Sequence, residues 1–230
     1  MSLIIKICGL KTDDALEAAL DAGADMIGLV FFPKSPRHVQ LETAKRLAET
    51  ARGRAEIVAL TVNPDDALLE TVMETVAPDW LQLHGKESPA RVAEVRARHG
   101  RSVMKALGIS TADDVARAGA YAGIADRLLF DAKPPKDATR PGGLGETFDW
   151  SLLDALDPAV DFMLSGGLDA ANVAEAVRRT RAIGVDVSSG VERAPGEKDA
   201  DMIRAFVATT RTAADEKFAL DKGAAKRSLS

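Results

Sequence analysis

The sequence predicts an α/β chain whose parallel strands close into a (β/α)8 TIM barrel, and three observations carry that prediction. Eight short apolar, β-branched runs alternate with eight helical segments between Leu3 and Thr210. Those runs lack a polar face, as strands covered by helices on both sides do. The length of 230 residues is near the roughly 250 typical of a barrel of eight βα units. A doubly wound open sheet is the competitor. It is disfavoured because no Gly-x-Gly-x-x-Gly follows the first strand, where a dinucleotide fold would place one. No composition break divides the chain, so residues 1–212 are expected to form one domain, followed by a polar tail, 213–230, that is a helical extension or disordered.

Each element has a local cause. The first strand, Leu3 to Cys8, ends in the only cysteine and then Gly9. Thr12-Asp13-Asp14 can cap a helix using Ala15, Leu16, Ala19 and Leu20, which Gly23 stops. Met26 to Phe32 reads as a buried strand, followed by the loop Pro33 to His38 and a helix from Leu41 to Ala51. Glu56 to Val62 is the third strand, and Asn63-Pro64-Asp65 opens a helix with Leu68, Leu69, Val72 and Val76 on one face. Trp80 to Leu83 is the fourth, closed by His84-Gly85, with Ser88-Pro89 starting the next helix. Ser102 to Leu107 is the fifth, and Ser110-Thr111 caps a helix into Gly119. Arg127 to Asp131 is the sixth. A long Pro/Gly-rich loop, Ala132 to Thr147, separates it from a short helix at Asp149 to Leu156. Asp161 to Leu164 is the seventh, ending in Ser165-Gly166-Gly167, and Asp169 is expected to cap a helix through Val173, Ala176 and Val177. Ile183 to Val187 is the eighth, ending in Ser188-Ser189-Gly190, and an amphipathic helix covers Asp199 to Thr210.

Composition narrows the function. A net charge of −5 with mixed signs excludes a nucleic-acid binder or a protein held on anionic membranes. One cysteine rules out an internal disulfide framework and fits a reducing cytosol. Three histidines and one cysteine offer no clustered metal-ligand spacing, so neither a metal nor a cofactor is expected. No run has the length of a membrane span, and Leu3 to Ile7 is too short and too charged for a signal peptide. The expectation is a soluble cytoplasmic globular protein. Polar helix faces favour a monomer, with a homodimer as the alternative.

Barrel enzymes work at the C-terminal ends of their strands. That rule gathers Cys8, Arg37, His84, Asp131 and Asp186 around one mouth. Each has a plain alternative: a small core hydrophobe for Cys8, a solvated charge for Arg37, a strand cap for His84, a turn-forming carboxylate for Asp186. Asp131 is harder to set aside, because it follows Leu128-Leu129-Phe130 directly. A carboxyl group there needs a partner, or else stays protonated, the form an acid catalyst uses. The strongest local signal is the pair of turns Ser165-Gly166-Gly167 and Ser188-Ser189-Gly190 after strands seven and eight. Glycines let backbone N–H groups approach an anion, and these two units form the usual phosphate seat of such barrels. A phosphate seat, a thiol, a carboxylic acid and an arginine suited to a second anion describe an enzyme acting on a phosphorylated sugar.

The order of motifs then resembles one family. Lys6-Ile7-Cys8-Gly9, Ser35-Pro36-Arg37, Gln82-Leu83-His84-Gly85, Phe130-Asp131-Ala132, Ser165-Gly166-Gly167-Leu168, Asp186-Val187-Ser188-Ser189-Gly190-Val191-Glu192 and Pro195-Gly196-Glu197-Lys198-Asp199 together are similar to phosphoribosylanthranilate isomerase of tryptophan biosynthesis. The resemblance implies an Amadori rearrangement of N-(5-phosphoribosyl)anthranilate, with Asp131 as general acid and Cys8 as general base. It further implies that Arg37 holds the anthranilate carboxylate, that Gly166, Gly167, Ser189 and Gly190 hold the phosphate, and that His84 and Asp186 line the site. One departure is Gly142-Gly143-Leu144-Gly145, where the family commonly has Thr or Ser in place of Leu144. This glycine-rich loop is expected to act as a lid. A related isomerase of histidine biosynthesis carries an aspartate where Cys8 stands and needs a second phosphate seat, which the first half of this chain lacks. A non-catalytic sugar-phosphate sensor would not need both Cys8 and Asp131.

Period-2 alternation places Lys6 on the face of Cys8, one layer below it. A free thiol ionises near pH ~8.5, so Lys6 is expected to supply a positive field that favours the thiolate. Lys105 on strand five is expected to share the barrel interior and compete for the carboxylate that compensates Lys6.

Overall fold

The computed structural model describes residues 3–133, 142, 143, 145 and 147–227. Eight parallel strands close in sequence order, β1 to β8, with β8 pairing back onto β1. They are β1 (Ile4–Cys8), β2 (Met26–Phe31), β3 (Glu56–Thr61), β4 (Trp80–Leu83), β5 (Ser102–Ile109), β6 (Arg127–Ala132), β7 (Phe162–Leu164) and β8 (Gly184–Val187). The α-helices are α1 (Asp13–Asp21), α2 (Leu41–Ala51), α3 (Asp66–Val76), α4 (Pro89–His99), α5 (Ala112–Ala118), α6 (Val173–Arg179) and α7 (Ala200–Arg227).

The helix starts are chemical as expected. The side chains of Thr12, Asp65 and Ser88 accept from the amides of Ala15, Leu68 and Arg91, and Thr111 forms a reciprocal capping box with Asp114. The N-terminal ends of the strands use one recurring device. Asp25, Asp79 and Asp126 each stand one residue before an even-numbered strand and accept from the first buried amide of the odd strand beside it. The acceptors reach Ile5 N at 2.7 Å, Ile57 N at 2.8 Å and Val103 N at 2.9 Å. Each carboxylate satisfies an amide that the barrel rim would otherwise leave unpaired.

Two apolar layers follow from strand alternation. Ile5, Ile7, Ile27, Leu29, Ile57 and Leu81 point outward and pack with the helices. Met26, Val58, Trp80, Met104, Leu129 and Met163 fill the lower barrel interior, and the Arg127 guanidinium lies 4.5 Å from the Trp80 ring. Above that plug the interior turns polar.

Several elements differ from the sequence expectation. β5 runs two residues beyond Leu107, because Gly108 and Ile109 pair with Asp131 and Ala132. The segment after β6 is a 3-10 helix, Trp150–Ala155, not an α-helix. Asp169 does not cap α6: its Oδ1 accepts from Ala171 N and Asn172 N in a turn, and the helix starts after Asn172. Glu192–Ala194 (β9) and Glu197–Lys198 (β10) form an antiparallel hairpin that periodicity did not reveal. α7 continues past Ala213 to Arg227, the helical extension that is one of the two expected forms of the tail. Residues 134–141, 144 and 146 of the expected lid loop, Leu144 included, lie outside the described residues.

Gly28 of β2 is where two strands come closest to the chemistry. A Cβ there would lie 2.8 Å from Cys8 Sγ and 3.0 Å from Cys8 Cα. Gly28→Ala is therefore expected to push β1 and β2 apart and destabilise the fold by about 1–3 kcal/mol. Denaturant unfolding checks it; an unchanged midpoint would mean that the barrel absorbs the methyl group.

Candidate active site

The strand ends converge as the barrel rule requires. Cys8 at the end of β1, Asp131 in β6 and Asp186 in β8 open onto one cavity, together with Arg37 from the β2–α2 loop and His84 after β4. Ser165, Gly166, Gly167 and Ser189 close one side, while Val30, Phe32, Leu60 and Val62 give an apolar wall. Gly190 stands just outside the lining. It packs so tightly that a Cβ on it would meet the Leu168 carbonyl at 1.9 Å. Gly166 and Gly167 take φ of +88° and +61°, a region that side-chain-bearing residues seldom adopt.

Beneath Cys8 lies a buried ion pair. Lys6, with no exposed surface, donates to Asp186 Oδ1 at 2.7 Å, and Ser165 Oγ donates to Asp186 Oδ2 at 3.1 Å. Burial opposes the charge on Lys6, but Asp186 and Cys8 together hold its pKa above the ordinary lysine value. Burial pushes the Cys8 thiol up, Lys6 and Lys198 pull it down, and Asp186 adds to the rise; the net direction is up. The expected field from Lys6 thus exists, yet burial outweighs it. Lys105 does not share that interior. On β5 it faces away from Met104 and Ala106, and its ammonium is bound 2.7 Å from Glu87 Oε2. It therefore does not compete for Asp186.

Lys198, from the β9–β10 hairpin, ties the two sides of the mouth together. Its ammonium donates to Ser188 O at 2.8 Å and to Glu192 Oε1 at 2.8 Å. Ser188 Oγ in turn donates to the carbonyl of Cys8 at 3.0 Å. Glu192 receives Arg37 through Nε and Nη2, both at 2.7 Å, a bidentate fork. Burial lowers the Lys198 pKa to about 8 against the pull of Glu192. Burial also opposes the charge on Glu192, but Arg37 and Lys198 override it and hold its pKa below the usual value. Arg37 is consequently no solvated loop charge: it is 4% exposed and locked in place.

Asp131 is oriented from three directions. Its Oδ2 lies 3.3 Å from His84 Nε2, and its Oδ1 accepts from Ala132 N at 2.9 Å. Gly142 covers it so closely that a Cβ there would sit 2.2 Å from Oδ2. His84 is fixed by its own neighbours. Lys105 donates to the carbonyls of Leu83 and Gly85 at 3.1 and 2.8 Å, and Glu87 accepts from the Gly85 amide. The buried Lys105–Glu87 pair thus grips the chain on both sides of the ring.

The structure brings Cys8, Arg37, His84, Asp131, Gly166, Gly167, Asp186 and Ser189 to one cavity. Sequence reasoning assigned no role to Gln82, Glu87, Ser165, Glu192 or Lys198. For Gln82 the signal was available, since alternation puts it on the face of His84. Lys198 and Glu192 fall within the motifs that carry the resemblance, but their partnership depends on an unforeseen hairpin. Among the described residues no group of three or more His, Cys, Asp or Glu could hold a metal ion, and no helix is long and apolar enough to cross a membrane.

Comparison with known proteins finds similarity to one family over most of the chain. The pattern of the N-(5'phosphoribosyl)anthranilate (PRA) isomerase family matches residues 5–209. The N-(5'-phosphoribosyl)anthranilate isomerase of Bradyrhizobium sp. (strain ORS 278) is 61% identical over 213 residues, spanning 93% of this chain and 97% of the relative. The crystal structure of phosphoribosyl anthranilate isomerase from Thermotoga maritima superimposes with a TM-score of 0.81 at 35% identity, covering 91% of this chain and 99% of that one. A phosphoribosyl anthranilate isomerase in complex with reduced 1-(o-carboxyphenylamino)-1-deoxyribulose 5-phosphate matches with a TM-score of 0.78 at 32% identity, covering 91% and 99%.

Because Cys8 is the sole cysteine, its ionisation can be read from the rate of alkylation against pH. Its midpoint is expected above that of a free thiol, in the direction burial dictates. Removing a cation must raise it further, so Lys198→Met is expected to slow alkylation at any fixed pH below the midpoint. Faster alkylation in the variant would overturn the electrostatic account of this pocket.

Proposed function

The chain belongs to the N-(5'-phosphoribosyl)anthranilate isomerase family of tryptophan biosynthesis, and from that premise we propose that Cys8 and Asp131 perform an Amadori rearrangement of N-(5'-phosphoribosyl)anthranilate. The observation that carries the assignment is the convergence of one thiol, one carboxyl group and two glycine-bearing turns on a single cavity. Asp131 gives its proton to the ribose ring oxygen as the bond from C1 to that oxygen breaks. The anilino nitrogen lone pair moves in to form the C1=N iminium. Cys8, as thiolate, removes the proton from C2. The electrons of that C–H bond form C1=C2 and neutralise the iminium, giving an enolamine. Tautomerisation, in which the C1=C2 electrons take a proton at C1 while the C2 hydroxyl gives up its proton to become the ketone, gives 1-(o-carboxyphenylamino)-1-deoxyribulose 5-phosphate.

The surroundings suit those roles. A buried thiol is seldom ionised at neutral pH, but the thiolate, once formed, is a stronger base than an exposed one. His84 stands beside Asp131 to stabilise the carboxylate that remains after proton transfer. Arg37 takes the anthranilate carboxylate. Two of its three nitrogens are held by Glu192, and Nη1 lies toward Gly143, where a Cβ would come within 2.3 Å. The positive φ of Gly166 and Gly167 and the turn at Ser189-Gly190 present the backbone to the phosphate. Asp186, bound to Lys6 and Ser165, keeps the floor under Cys8 charge-paired.

The test follows the loss of fluorescence when purified protein meets phosphoribosylanthranilate. Cys8→Ala and Asp131→Asn are each expected to lower kcat by about 10²–10⁴-fold, the usual worth of a general base or acid. Full activity in both would sink the mechanism, and an inert parent would sink the assignment. Gly190→Ala forces a Cβ against the Leu168 carbonyl and is expected to raise KM more than it lowers kcat. The reverse pattern would remove that turn from phosphate binding.

A further inference from the structure

Gln82 stands on β4 two residues before His84, facing inward, with none of its side chain exposed and no share in the cavity lining. Its Nε2 lies 3.1 Å from His84 Nδ1. Its Oε1 is buried without a hydrogen-bond partner among the described residues. On the far side of the ring, His84 Nε2 faces Asp131 Oδ2 at 3.3 Å.

Proton counting decides what this chain of three groups means. A neutral imidazole carries one N–H and one lone pair, and an amide nitrogen only donates. A Gln82 nitrogen at Nδ1 therefore requires the lone pair there and puts the ring proton on Nε2, on the side of the ring that lies 3.3 Å from the Asp131 carboxyl group. The reversed amide would offer an oxygen to Nδ1 and demand the proton on that side. A neutral ring would then turn a lone pair toward the carboxylate. Amide orientation is settled by the network it joins, and with a neutral ring only a nitrogen facing His84 leaves Asp131 a donor on Nε2.

We propose that Gln82 is a positioning residue for the rearrangement: its amide fixes His84 as the neutral Nε2–H tautomer, so that the ring donates to Asp131. The proposal rests on Asp131 being the acid only for its kinetic consequence. The ring donor stabilises the negative charge that appears on Asp131 as its proton leaves. The buried Oε1 points the same way. Space-filling alone would be served by Met or Leu, neither of which strands a polar atom.

The test uses ¹⁵N-histidine-labelled full-length protein. There are three histidines, and His84→Asn assigns the resonance. In the parent, His84 is expected to show a protonated Nε2 and an unprotonated Nδ1. Gln82→Met should collapse that preference into a mixture of tautomers. Gln82→Glu, which can only accept at Nδ1 when ionised, should move the proton there. With one hydrogen bond misdirected, kcat in Gln82→Met is expected to fall roughly tenfold with KM little changed. A parent His84 protonated at Nδ1, or a Gln82→Met protein that keeps the parent tautomer, overturns the proposal. A loss of turnover without a change in tautomer overturns it too, because packing would then be the cause. If Asp131→Asn stays active while the Gln82 variants shift the tautomer, the acid assignment fails and the tautomer assignment stands.

Discussion

The structure depends on one constraint: charges placed inside a closed barrel must be paired there. Lys6 and Asp186 meet at 2.7 Å with almost no exposed surface. Each ion removed from water costs several kcal/mol, and leaving one partner alone costs about 3–5 kcal/mol. The pair therefore fixes the ends of β1 and β8 as firmly as any apolar contact. It also sets the dividing level of the barrel, with an apolar plug of methionines, Trp80 and Leu129 below it and the polar mouth above.

The same rule is applied twice more. Lys105 and Glu87 meet at 2.7 Å behind β4 and β5, and Lys198 and Glu192 at 2.8 Å under the β9–β10 hairpin, where Glu192 also binds Arg37. Of these three pairs only Asp186 contributes to the cavity lining. Each holds a group that faces the cavity: Cys8 above Lys6, His84 beside Lys105, and Arg37 beside Glu192. Rigidity of this kind is what a site needs when protons must move between fixed atoms.

Burial and charge act on Cys8 in opposite directions. The cations Lys6 and Lys198 favour the thiolate, while desolvation and Asp186 resist it, and desolvation prevails. A site that ionised its thiol fully at rest would hold a weaker base. Here the two lysines keep the cost of ionisation in check without abolishing it.

Much of the fold was legible because it follows from local chemistry. The barrel could be read from β-branched runs, capping residues and unit count, since burial on both faces leaves strands no polar side to show. The mouth residues Cys8, Arg37, His84, Asp131 and Asp186 could be read once each strand's end had a stated place. The sequence alone therefore determined the strand order, the turn glycines and the kinds of reactive group available. Only the tertiary structure decided which charges pair. Lys105 and Lys6 look alike in sequence, yet one faces the helices and takes Glu87 while the other faces inward and takes Asp186. Lys6 and Asp186 are 180 residues apart, Arg37 and Glu192 are 155 apart, and His84 meets Asp131 only across the barrel mouth. Pairings over such distances have no local signature. They exist because barrel closure brings β8 back to β1, and because a charge already buried must take the partner within reach.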